Sequence, residues 1–206
     1  MKVNQIEWVV FDVETTGLSP VGGDRIIEIA AVKVRDEKIV ATFDSLVNPK
    51  RDVPVEAQQV NNITLQMLAD APAADEILPS IIEFIGGGCL VAHNIKFDLD
   101  FLCHGLSLIG RKLNDSTPAI DTLKMSKKFL PQLSSHRLIN IAQYFGVATK
   151  DAHRALADVK MTVTVLKRFL DMAVRQGIMT PQDLFKEFGV AKPGFKIAQA
   201  SQEVLF

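Results

Sequence analysis

Three strand-like runs fill the first 47 residues before any helical spacing begins, and that order constrains the fold more than any other feature of the chain. Val9, Val10, Phe11 and Val13 form a β-branched and aromatic run ending at Gly17, the pattern of a buried strand. Ile26 to Val34 and Ile39 to Val47 are two further apolar runs, joined by the polar turn Arg35, Asp36, Glu37 and Lys38. Together they read as an antiparallel meander. Past Pro54 the apolar spacing becomes helical, with short segments over Val55 to Val60 and Thr64 to Ala69. A longer helix from Ala74 to Ile85 is ended by Gly86, Gly87 and Gly88. Cys89 to Ala92 and Ala119 to Asp121 read as short strands with a helix over about Phe97 to Ile109 between them. Thr122 to Leu130, Leu138 to Phe145 and Ala155 to Ala173 supply further helices. A meander followed by alternating strand and helix gives an α/β fold around one sheet of mixed direction. After Gly177 the pattern weakens to a short helix near Pro181 to Phe188 and a tail, so residues 1–177 read as the domain and 178–206 as an extension.

Carboxylates stand where this frame wants apolar side chains. Asp12 and Glu14 are one residue apart, so on a strand they point to the same face and can bind one ion or a close pair of ions. An acid pair of this kind is more often a solvated face, but here its neighbours are of buried type and the motif continues through Thr15, Thr16 and Gly17. In HNIKFD, Asp98 opens a helix directly after the strand at Cys89 to Ala92, and strand ends of α/β sheets are where sites collect. Alone, it is equally explained by Asn94 capping the helix and Asp98 favouring its amino terminus. In HRALAD, His153 stands at the start of the longest helix and Asp158 further along it. A lone histidine there is usually a surface residue or a satisfied core one. Cys89 and Cys103 are isolated in apolar surroundings and read as buried free thiols, so a donor set built from these acids is oxygen-only and selects a hard cation, magnesium or manganese.

FDVETTG, HNIKFD and HRALAD, in this order and spacing, resemble the three motifs of the DEDDh (DnaQ-like) 3′→5′ exonucleases, the family that includes the proofreading epsilon subunit of bacterial DNA polymerase III. The resemblance runs from about Trp8 to Arg175. It implies a ribonuclease H-like α/β fold, a central five-stranded mixed sheet flanked by helices. It also implies that Asp12, Glu14, Asp98 and Asp158 hold two Mg2+ or Mn2+ ions, with His153 as general base. Thr15 and Leu18 would hold the terminal nucleotide, and Asn94 and Phe97 would line the same region; by residue type, Leu18 and Phe97 read equally as core. The implied activity is metal-dependent release of nucleoside 5′-monophosphates from the 3′ end of single-stranded or mispaired DNA, in proofreading beside a polymerase catalytic subunit and a sliding clamp. An RNA-trimming or oligonucleotide-degrading enzyme with the same five residues stays open, because telling 2′-OH from 2′-H depends on pocket details. A noncatalytic replisome adaptor is opposed by the complete set of acids.

Composition adds little. A formal net charge of −1 does not advertise nucleic-acid binding. Lys124, Lys127 and Lys128 at helical spacing, with Arg137, Lys150 and Lys160, read as a phosphate track or as a solvated face, and Arg154 as a phosphate contact or a solvated side chain. Phe145 reads as core, and Tyr144 as core or a base-stacking ring. Two readings stand for QEVLF: a peptide similar to the QxxLF motif that bacterial replication proteins insert into the sliding clamp, with Gln202, Leu205 and Phe206 as anchors, or a cloning remnant, since EVLF occurs in a common protease site. MKVNQIEW lacks the apolar run of a signal peptide and no stretch approaches the roughly 20 apolar residues of a membrane span, so the expected location is cytoplasmic, with no membrane partner.

Overall fold

The computed structural model describes residues 6–149 and 154–196. The meander forms as its patterning requires: β1 (Trp8–Thr15), β2 (Ile26–Arg35) and β3 (Lys38–Leu46) pair antiparallel in chain order. The connection out of β3 carries α1 (Val55–Asn61), α2 (Leu65–Leu68) and α3 (Ala74–Ile85). It delivers β4 (Cys89–Ala92) to the free side of β1 in parallel. After α4 (Ile95–Leu108), β5 (Ala119–Asp121) joins β4, again in parallel. The five-stranded sheet therefore has the order β3-β2-β1-β4-β5, with mixed direction as the sequence implies.

Helices cover both faces because the central strands alternate two apolar sets. Trp8 and Val10 of β1, Ala30 and Val32 of β2, and Val91 of β4 pack on one side against α5 (Thr122–Phe129), α6 (Leu138–Tyr144) and α7 (Ala155–Arg175). Val9, Phe11 and Val13 of β1 pack on the other side against Leu78 and Ile81 of α3 and Leu99 and Leu102 of α4. The segment after α7 joins the first of these cores through Leu184 and Phe188 of α8 (Pro181–Phe188). Beyond α8, Val190 N–H donates to the Ala119 carbonyl at 2.9 Å and Gly189 bridges Ile120, so the extension covers the β5 edge.

Two helix boundaries differ from the sequence reading by two residues, and the others by no more than one. α4 begins at Ile95 rather than about Phe97, because Asn94 adopts a left-handed conformation (φ 65°) that turns the chain straight from β4 into the helix. α7 runs on to Arg175, two residues past Ala173, the last residue of its buried stripe. Cys89 is buried and free, while Cys103 is free but only partly buried, and burial pushes its thiol up to about 11, away from reactivity. No helix among the described residues is long and apolar enough to cross a membrane.

Candidate active site

Strand periodicity decides where the first two acids go. Asp12 and Glu14 belong to the same alternating set as Trp8 and Val10, the set facing α7. α7 lies across β1 and β2 and carries Asp158 in its first turn. Carboxylate oxygens of Asp12, Glu14 and Asp158 consequently lie within 4.8 Å of one another. Asp98 arrives from α4, on the opposite face, and is 3% exposed. Because β4 pairs with β1 only over Trp8 to Val10, the Val13 amide beyond it is free to donate to Asp98 Oδ1, at 3.2 Å. That bond holds Asp98 at the peptide between Asp12 and Glu14, beside the three clustered acids rather than inside their mutual 4.8 Å.

The charges confined here oppose one another. Burial, then the charges of Asp98, Glu14, Asp158 and Glu28, raise the Asp12 carboxyl well above its ordinary range. Glu14 is pushed up to about 7, first by burial and then by Asp158 and Glu28, against the opposing hydrogen bond from the Asn61 side chain and the Arg154 charge. Asp98 is also raised, chiefly by burial, although the Val13 amide favours its charged form. A hard divalent cation suits this site: its donors are all carboxylate oxygens, and its charge is what the acids lack.

Of the remaining residues implied by the sequence, Thr15 is buried and its hydroxyl donates to the Gly17 carbonyl at 2.6 Å, shaping the turn after β1. Leu18, beyond that turn, is 85% exposed and is not core. The Asn94 side chain does not cap α4; its backbone N–H donates to Asp121 Oδ1 at 3.0 Å. Phe97 is partly buried, with its ring 4.9 Å from that of Phe101. His153, Lys150, Gln202, Leu205 and Phe206 lie outside the described residues.

Several basic residues have partners that the sequence reading does not name. Arg154 is half-exposed, as a solvated side chain would be, but its guanidinium is held by Glu28 of β2, with Nη2 to Oε1 at 2.6 Å. Lys124 and Lys128 lie on an exposed face, where Lys124 donates to the Gly189 carbonyl at 2.8 Å and Lys128 pairs with Glu187 at 2.6 Å, so both reach towards the α8 region. Phe145 packs on the core against Phe169, whereas Tyr144 is half-exposed against Phe145. Glu28 and Asn61 also border this site, outside the three sequence motifs. Glu28 did carry a signal, an acid inside the apolar run IIEIAAV, whereas Asn61 carried none.

The exonuclease family profile matches residues 9–166, most of the chain and all of this site. The chain belongs to the exonuclease family. This exonuclease domain is 40% identical over 161 residues to a PolC-type DNA polymerase III of Clostridium perfringens, covering 78% of the chain but 11% of that protein. It is 38% identical over 182 residues to an epsilon-like protein of DNA polymerase III from Rhodobacter capsulatus, covering 86% of the chain and 26% of the relative. The domain thus spans a small part of the curated relatives it matches. Among solved structures, exonuclease X in complex with 5′-overhanging duplex DNA superposes with a TM-score of 0.67 at 27% identity, covering 86% of this chain and 96% of that one. Escherichia coli exonuclease I bound to a dT13 oligonucleotide shares the fold with a TM-score of 0.74 at 18% identity, over 84% of this chain and 43% of that one.

Proposed function

We propose that this exonuclease domain hydrolyses phosphodiester bonds one at a time from the 3′ end of single-stranded or mispaired DNA, releasing nucleoside 5′-monophosphates, in proofreading during replication or repair. The observation that carries the reading is the convergence of Asp12, Glu14 and Asp158 oxygens within 4.8 Å, with Asp98 held alongside by the Val13 amide. In this reading the four acids hold two magnesium or manganese ions. Bound there, such ions neutralise charge on the phosphate and make water a better nucleophile.

The chain's own residues do the rest. Asp12 and Glu14, fixed by strand geometry, and Asp158, fixed by the first turn of α7, present their oxygens towards one point. His153 takes the proton from the attacking water, a role worth about 10² to 10⁴ in rate. Thr15 and the exposed Leu18 receive the terminal nucleotide at the turn after β1, while Asn94 and Phe97 bound the other side from the start of α4. A polymerase catalytic subunit and the sliding clamp are the proposed partners, the latter through Gln202, Leu205 and Phe206, and the proposed location is the cytoplasm.

The test is degradation of matched, 3′-mismatched and RNA-ended labelled oligonucleotides with magnesium. Faster loss of the mismatched DNA end supports proofreading. Preference for the RNA end would replace it with RNA trimming, and removal of label only from 5′ ends would overturn the assigned polarity.

A further inference from the structure

Glu28 lies directly across from Glu14 in the β1–β2 register and is 2% exposed. A buried carboxylate beside the four others has the look of a fifth metal ligand, but its hydrogen bonds assign both oxygens elsewhere. Oε1 accepts from Arg154 Nη2 at 2.6 Å and from Arg154 Nε at 3.1 Å, and Oε2 accepts from the Ala155 backbone N–H at 2.9 Å. All these donors belong to Arg154, the cap residue of α7, and Ala155, its first residue.

Arg154 precedes the helix in an extended conformation (φ −132°, ψ 128°) and gives it no side-chain cap. Glu28 supplies the missing acceptor from a neighbouring strand, placing negative charge at the helix amino terminus, where the backbone dipoles favour it. The guanidinium fork meets the carboxylate with two nitrogens and so fixes orientation as well as distance, which a lysine ammonium does not. A carboxylate this deeply buried is tolerated because it is both paired and hydrogen-bonded.

We propose that Glu28 is a positioning residue: together with Arg154 it fixes where α7 starts, and thereby presents Asp158, four residues on, to Asp12 and Glu14. The same pair tethers the chain one residue from His153. The inference rests on reading Asp12, Glu14 and Asp158 as metal ligands.

Mn2+ binding to the purified protein without nucleic acid, followed by the electron paramagnetic resonance of free Mn2+, tests it in wild type, Glu28→Gln and Arg154→Lys, and in Glu28→Gln combined with Asp158→Asn. Arg154 is about half-exposed, so Arg154→Lys keeps the question answerable if Glu28→Gln fails to fold. Each single variant is expected to bind Mn2+ about 10-fold more weakly, with kcat on a single-stranded oligonucleotide falling by a similar factor. KM is expected to stay within about two-fold, and with Asp158 already replaced, Glu28→Gln should weaken Mn2+ binding by less than about two-fold more, because no ligand is left for it to place. Wild-type Mn2+ affinity in both single variants, or the same loss with and without Asp158, would overturn the positioning role. Failure of the wild type to bind Mn2+ would instead remove the ligand reading, and this inference with it.

Discussion

Asp12 and Glu14 bring their oxygens close to those of Asp158 in a space where burial and like charge hold the Asp12 and Glu14 carboxyls up. The sign of the resulting pH dependence follows from Glu14, raised from 4.5 to about 7 in the fold, with Asp12 and Asp98 raised as well. Groups whose native values lie above their unfolded ones stabilise the fold fully below the unfolded values and lose that contribution as pH climbs through the native ones. The metal-free protein should therefore melt several degrees lower at about pH 8 than at about pH 5, each kcal/mol lost lowering Tm by roughly 2–4 °C. Adding Mn2+ near neutrality should restore the melting temperature and release protons, since only deprotonated carboxylates bind it. A calorimetric titration in buffers of different ionisation enthalpy reads the protons directly, and no proton release would contradict the raised carboxyls. Replacing Asp12 by alanine removes one of the mutually repelling charges. Asp12→Ala should thus cut turnover by at least about 10³ while leaving the apo melting temperature unchanged or higher. Near-normal turnover in a folded Asp12→Ala protein would refute its role.

Each element's contribution to the site was legible in the sequence to the extent that local periodicity sets it. The two-residue period of β1 is enough to put Asp12 and Glu14 on one face, and both parts of that argument stand in eight consecutive residues. Which face α7 covers is a tertiary fact, so the meeting of Asp158 with β1 was available only through the resemblance to a family. Glu28 shows the other limit. It announced itself as an acid in a buried run just as Asp12 did, but its partner is 126 residues away and nothing local points to Arg154. Helical spacing likewise showed that Lys124 and Lys128 share a face without showing that α8 and Gly189 occupy it. The strap beyond α8 was unreadable for the same reason. Lys192 Nζ donates to the carbonyls of Asn114, Asp115 and Thr117, tying the extension to the loop that enters β5. Lys192→Ala leaves those carbonyls to water and should cost about 1–3 kcal/mol, or several degrees of Tm, with kcat on short single strands unchanged. A melting temperature equal to wild type would mean that the strap contributes no stability.

For the molecule as a whole, the net charge of −1 hides an uneven distribution. The four acids gathered at one end of β1 would be neutralised by the two divalent ions proposed to bind there, so the metal would remove the repulsion that a nucleic-acid end meets at this site. In the proposed proofreading role, processive action calls for another protein to hold the domain at the primer end. That need gives the QEVLF segment its proposed purpose. An apolar pair, Leu205 and Phe206, with Gln202 as polar anchor, is the size of peptide whose binding adds effective concentration without altering the chemistry. Deleting residues 202–206 should abolish retention on an immobilised sliding clamp, leave hydrolysis of short free oligonucleotides at the wild-type rate, and remove any stimulation of that hydrolysis by clamp loaded on a primed template. Leu205→Ala with Phe206→Ala should reproduce the deletion. If the clamp retains the shortened chain as well as the full one, the segment has no part in recruitment and the attachment must lie on the folded surface.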